Sequence, residues 1–148
     1  MKKNNPASVI DVIILLLCLL LTAGIKLVFH ACAPKEDGSW MTCHWAEQAV
    51  FAIGVAMVIQ ALALLLYDRQ GKHGVKAGIS FALAIQGIIC AVLPGILINL
   101  CMMQDMRCHT LMRPAVIVLC ILTAACAIAG CVRHRAQCGA HHHGEEPS

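Results

Sequence analysis

Four long apolar runs dominate the chain: Val9 to Phe29, Ala49 to Tyr67, Ala77 to Leu100 and Pro114 to Val132. Each is long enough, at a helical rise of about 1.5 Å per residue, to cross a hydrocarbon layer roughly 30 Å thick. The polar stretches between them are short, as connections between neighbouring helices require. The pattern predicts an all-α, integral membrane four-helix bundle of two helical hairpins, with a four-span domain over residues 1–132. Residues 133–148, with Cys138, His141 to His143, Glu145 and Glu146, read as a disordered cytoplasmic tail too polar to bury.

Interruptions within the runs are few. Asp11 lies near one end of the first run and Lys26 near the other, where its stem can carry the ammonium outward to the headgroups. Gln60 and Gln86 are the strongly polar residues inside the second and third runs, and in lipid such amides bond across to a neighbouring helix. Pro94-Gly95 is expected to kink or thin the third helix near its end. Pro34 and Gly38 turn the chain between the first two runs, and Trp40 and Trp45 suit the membrane boundary there.

Composition supports this reading. Of 148 residues, 59% are hydrophobic and 13% charged, against about half and about a quarter in soluble domains. Lys2, Lys3, Arg69, Lys72, Lys76, Arg133 and Arg135 fall on one side of the runs, while Lys35, Arg107 and Arg113 fall on the other. Positive flanks stay cytoplasmic, so both termini are expected on the cytoplasmic side of the membrane, with the loops after runs one and three outside. The net charge of +3 is then a topology signal, and no contiguous basic face suggests a nucleic-acid partner. Lys2-Lys3 and Ala31-Cys32-Ala33 resemble signal-peptide flanks, but the apolar run between them is about twice the usual length and reads as an uncleaved anchor.

The two outer loops repeat a phrase. Met41-Thr42-Cys43-His44 follows the first run and Met106-Arg107-Cys108-His109 the third, each preceded by another cysteine, Cys32 or Cys101. This suggests a parallel duplication. Of ten cysteines, Cys18, Cys90, Cys120 and Cys126 lie inside runs, where thiols act as small apolar residues. Cys32, Cys43, Cys101 and Cys108 lie in the outer loops, where disulfides can form in any of three pairings.

Bridges Cys32–Cys43 and Cys101–Cys108, or bridges between the loops, would staple the exterior. Alternatively, His44, His109 and Arg107 beside the thiols could support redox chemistry, although no Cys-x-x-Cys occurs. A third possibility is a metal site, with Met41, Cys43, His44, Met106, Cys108 and His109 as ligands. Met102, Met103, Met112 and His30 lie in the same neighbourhood, and such soft donors suit Cu(I) or Zn(II).

No phosphate-binding Gly-rich loop, nucleophile elbow or His-Glu-x-x-His occurs, which argues against an ATPase or a hydrolase. Mid-run positions carry no acids or bases, which argues against a transporter.

The string Asp37-Gly-Ser-Trp-Met-Thr-Cys43-His-Trp-Ala-Glu-Gln-Ala49, with Cys32, Cys101, Met106-Arg-Cys108 and Pro114, resembles a family of short bacterial four-span membrane proteins. That family is classed as a domain of unknown function, and the likeness spans nearly all of residues 7 to 132. Ala46 stands where such sequences more often have Thr. The resemblance implies an accessory or interaction subunit of a membrane complex, near ABC-type export or lipoprotein-release permeases. Partners expected on this reading are the bilayer and a membrane protein or a second copy of the chain.

Overall fold

The computed structural model describes residues 6–28, 42–68, 73–98 and 108–142. It is all-α. Helix α1 spans Pro6–Leu27, α2 Thr42–Asp68, α3 His73–Val92 and α4 Arg113–His142, with one turn of π-helix, Cys108–Met112, leading into α4. All four helices are long and apolar enough to cross a membrane. They pack in cyclic order, α1 on α2, α2 on α3, α3 on α4 and α4 on α1, and the contact between α3 and α4 is the most extensive.

A dry core of Ile14, Leu21, Ile25, Val50, Met57, Leu64, Leu83 and Val116 fills the centre. Leu16, Ile59, Phe81 and Ile121 are 57 to 63% exposed. On a protein in water such a belt around every helix would be unfavourable, whereas lipid solvates it.

Small residues set how closely the helices approach. A Cβ at Gly54 of α2 would lie 2.8 Å from the Thr22 hydroxyl of α1. At Gly87 of α3 it would lie 3.1 Å from the Cys120 carbonyl and 3.2 Å from the Ala124 methyl of α4. Close backbone approach of this kind is what holds helices together in lipid, where apolar side chains gain nothing by leaving solvent. The hydroxyls of Thr22 and Thr123 donate to the carbonyls of Cys18 and Leu119 in their own helices, each at 2.8 Å, and so cross the apolar layer satisfied.

The helix ends differ from the sequence-based boundaries. The third helix stops at Val92 rather than at Leu100. Pro94 cannot continue it, and Gly95 takes a positive φ of 99°, so the chain turns back; the Leu97 and Ile98 amides then cap the carbonyls of Val92 and Leu93 at 3.4 and 3.0 Å. The Arg113 side chain packs against this turn, with Nε 3.0 Å from where a Gly95 Cβ would be.

The second helix starts at Thr42, so the Cys43-His44 phrase opens a helix instead of ending a loop. Helix α4 runs through to His142, so the boundary drawn at 132/133 cuts a continuous helix, and residues 133–142 are not a disordered tail. The reason is inward polarity, since His134 is fully buried. Residues 143–148 lie outside the described residues.

Three smaller expectations also change. Met112 is buried in the core rather than exposed in a loop. Lys26 is not simply snorkelled, because it pairs with Glu47 at 2.7 Å and lies 5.0 Å from the Phe51 ring centroid. The amide oxygens of Gln60 and Gln86 are buried without a hydrogen-bond partner among the described residues, so they do not bridge helices.

The glycine contacts give a direct prediction. Gly54→Leu must displace Thr22 and should lower stability by about 1 to 3 kcal/mol. Gly78→Leu, with nothing within 4 Å of its Cβ position, should be nearly neutral. Thermal unfolding of the two purified variants in one detergent checks the difference.

Candidate functional site

Besides Thr123, whose hydroxyl bonds within its own helix, the described polar residues with no exposure at all are Asp11 on α1, Lys76 and Ser80 on α3, and His134 on α4. Three of them are linked. Lys76 Nζ is 2.6 Å from Asp11 Oδ2, and His134 Nε2 is 3.2 Å from Asp11 Oδ1. One carboxylate thus bridges an ammonium and an imidazole from two other helices. With an acceptor facing it, Nε2 is the ring nitrogen that carries the proton toward Asp11.

Each placement follows from position along a helix. Asp11 is two residues inside the apolar span that begins at Val9, and Lys76 two residues inside the one that begins at Gly74. His134 lies two residues before the fourth span ends at Ala136. The cluster therefore sits just inside one end of the bundle, where the start of α1, the start of α3 and the end of α4 come together. Gly130, one turn deeper than His134, faces the same layer with ordinary van der Waals spacing. A Cβ there would lie 3.6 Å from Ile10, 3.6 Å from the Ser80 hydroxyl and 3.9 Å from His134 Nε2.

Desolvating an acid and an ammonium is costly, and their attraction offsets it only with good geometry and further hydrogen bonds. The ion pair at 2.6 Å supplies the attraction and the imidazole engages the second carboxylate oxygen, while Asp11 Oδ2 takes the ammonium as an ion pair without a well-angled hydrogen bond. Ser80 Oγ and His134 Nδ1 are buried beside it and have no hydrogen-bond partner among the described residues. The arrangement can hold three helices in one register, and it leaves a donor-acceptor hydroxyl and a ring nitrogen to spare.

The residues singled out from the sequence are elsewhere. Met41, Cys32, Cys101 and Met106 lie outside the described residues. Cys43 and His44 fall in the first turn of α2, and Cys108 and His109 begin the π-turn before α4. The Lys26–Glu47 contact puts the start of α2 beside the end of α1, and the Arg113–Gly95 contact puts the start of α4 beside the end of α3. Both phrases consequently enter the bundle at the end opposite Asp11. His44 makes an edge contact with the Trp45 ring, with centroids 6.0 Å apart. Among the described residues no group of three or more His, Cys, Asp or Glu is placed to hold a metal ion.

Reading the sequence missed the ionic cluster because each member looked like a flank residue. Lys76 in particular counts as a cytoplasmic positive charge by sequence, yet it is spent internally. The available signal was that Asp11 sits inside an apolar run with no charged neighbour within two turns of its own helix.

His134→Leu should leave the Asp11–Lys76 pair but remove one of the bonds to the carboxylate, at a cost of about 1 to 3 kcal/mol. Hydrogen–deuterium exchange should then rise first in the last two turns of α4, before the rest of the bundle opens.

Compared with the curated proteins and with the solved structures, the chain has no match. A family model does match, over residues 14–133, which takes in most of all four helices. The chain belongs to that family, described as Domain of unknown function (DUF4418).

Proposed function

We propose that the protein is an accessory or interaction subunit of a membrane complex, non-catalytic, and seated in a bacterial cytoplasmic membrane. The observation that carries this reading is how its buried charge is used. Asp11, Lys76 and His134 neutralise one another at one end of a packed core, so they fasten helices instead of lining a path. A four-helix bundle filled this way supplies a rigid anchor, and its recognition surfaces are the helix faces and the end loops.

The exposed Arg133 and Arg135 next to the ionic end support a cytoplasmic placement of that end, with the termini. The opposite end, with the Cys43-His44 and Cys108-His109 phrases, would then face the exterior, where Cys32, Cys43, Cys101 and Cys108 can be joined in disulfides. The two hairpins would be related as a parallel duplication. An ABC-type permease is the partner class that the family resemblance suggests.

A second reading has one observation in its favour: both Cys-His phrases start helices at the same end of the bundle. On that reading Met41, Cys43, His44, Met106, Cys108 and His109 form an exterior Cu(I) or Zn site or a thiol-redox site.

Mild-detergent extraction of native membranes, native electrophoresis and elemental analysis of the same band separate the two. The accessory reading expects migration in an assembly well above the 15.9 kDa chain, without stoichiometric copper or zinc. A bare chain carrying one equivalent of metal would overturn it in favour of the second reading.

A further inference from the structure

The ionic layer carries more hydrogen-bonding capacity than its own side chains use. Asp11 Oδ2 meets Lys76 as an ion pair without a well-angled hydrogen bond, and Ser80 Oγ and His134 Nδ1 have no hydrogen-bond partner among the described residues. All three side chains have zero exposure. Of the five such buried polar atoms among the described residues, three therefore belong to this one layer. Buried polar groups pair with protein or with ordered water, so three together call for a common partner. Ser80 stands out among the hydroxyls. Those of Thr22 and Thr123 bond back to carbonyls of their own helices, and that of Ser80 does not.

Gly130 marks the place. It is buried in the interior of α4, where glycine weakens a helix relative to alanine. Gly54 and Gly87 are required by crowding, since a Cβ at either would lie 2.8 or 3.1 Å from the neighbouring helix. A Cβ at Gly130 would meet Ile10 Cγ2 and Ser80 Oγ at 3.6 Å and His134 Nε2 at 3.9 Å, which is ordinary contact. Crowding therefore does not require glycine here. The space that a methyl group would fill is bordered by α1, α3 and α4, with the spare hydroxyl and the imidazole both facing it.

Size, charge and hydrogen bonding select what fits this cradle. Its walls are fully buried and its width is that of a methyl group, which limits the occupant to a molecule of similar size. Asp11 and Lys76 already cancel, so an ion of either sign would leave net charge in a buried layer. The groups to be satisfied are two acceptors, Asp11 Oδ2 and His134 Nδ1, and a hydroxyl that both donates and accepts. Water offers two protons and a lone pair on a single heavy atom, and it is neutral.

We propose that the ionic layer holds a structural water, seated against Gly130 between α1, α3 and α4. Its oxygen accepts from the Ser80 hydroxyl, and its protons turn toward the carboxylate and the imidazole. The water joins Ser80 to the Asp11, Lys76 and His134 cluster and carries the polar link between α3 and α4 one turn deeper into the bundle. The inference rests on the ionic layer alone and is independent of the accessory reading.

The test uses the full chain in lipid bilayers, with solid-state NMR that transfers polarisation from water protons to carbon-labelled side chains. Ser80 and His134 signals should build up about fivefold faster than those of Ile14, which is equally buried but apolar. In Gly130→Ala, whose methyl takes the place of the water, that transfer should fall about fivefold while the α4 shifts stay helical. Unfolding in one detergent gives a second readout. Gly78→Ala, with nothing near its Cβ position, should lower the unfolding constant about two- to fivefold through helix propensity. Gly130→Ala should instead raise it about threefold, because the polar groups lose their partner. Ser80 and His134 signals that build up no faster than those of Ile14 would overturn the proposal. So would a Gly130→Ala chain that keeps the fast transfer, or one that gains stability as Gly78→Ala does.

Discussion

The Asp11 carboxylate is the constraint on which the rest of this bundle depends. In lipid, apolar side chains gain nothing by leaving solvent, so helices find their partners through close packing and a few polar contacts. Here one carboxylate takes Lys76 from α3 and His134 from α4, and thereby fixes α1, α3 and α4 at a common level. Slipping any of the three helices by one turn, about 5.4 Å, would strand a buried charge or ring. The cluster specifies register, which apolar packing alone defines loosely.

Packing then extends that register along the axis. From the ionic layer the helices rise through Gly130 to a core that includes the buried Cys18, Cys90 and Cys120, and α3 and α4 lie close together at Gly87. Helix α2 joins through Gly54 on Thr22, and at the far end Lys26 meets Glu47. The two ends thus differ in kind. One holds a fully buried ionic cluster; at the other, Lys26 is 35% exposed and stays within reach of the headgroups.

How much of this was legible in the sequence varied with the physics involved. Four spans follow from unbroken apolar length, and the structure has four such helices. Where a helix ends is a local backbone matter. Pro94-Gly95 was visible as a breaker, but whether it kinks or terminates turns on the positive φ of Gly95 and on the Arg113 side chain packed against it. The extent of α4 was misread because polar residues after Val132 suggest solvent, whereas His134 finds its partner 123 residues earlier in the chain. The apolar character of Cys18, Cys90 and Cys120 could be read directly; their place in one core cluster could not, since it depends on the register of three helices. The Cys-His pairs of the repeated phrase, the most conspicuous repeat in the sequence, lie at helix starts at the end of the bundle away from the ionic cluster.

A double-mutant cycle on Asp11→Leu and Lys76→Leu, followed by reversible unfolding in a single detergent, tests the central claim most directly. Each single change should destabilise by about 3 to 5 kcal/mol by leaving its partner buried and uncompensated, while the double variant should recover most of that loss. Single effects below about 0.5 kcal/mol that simply add would mean the two charges act independently, and that the carboxylate does not set the arrangement of these helices.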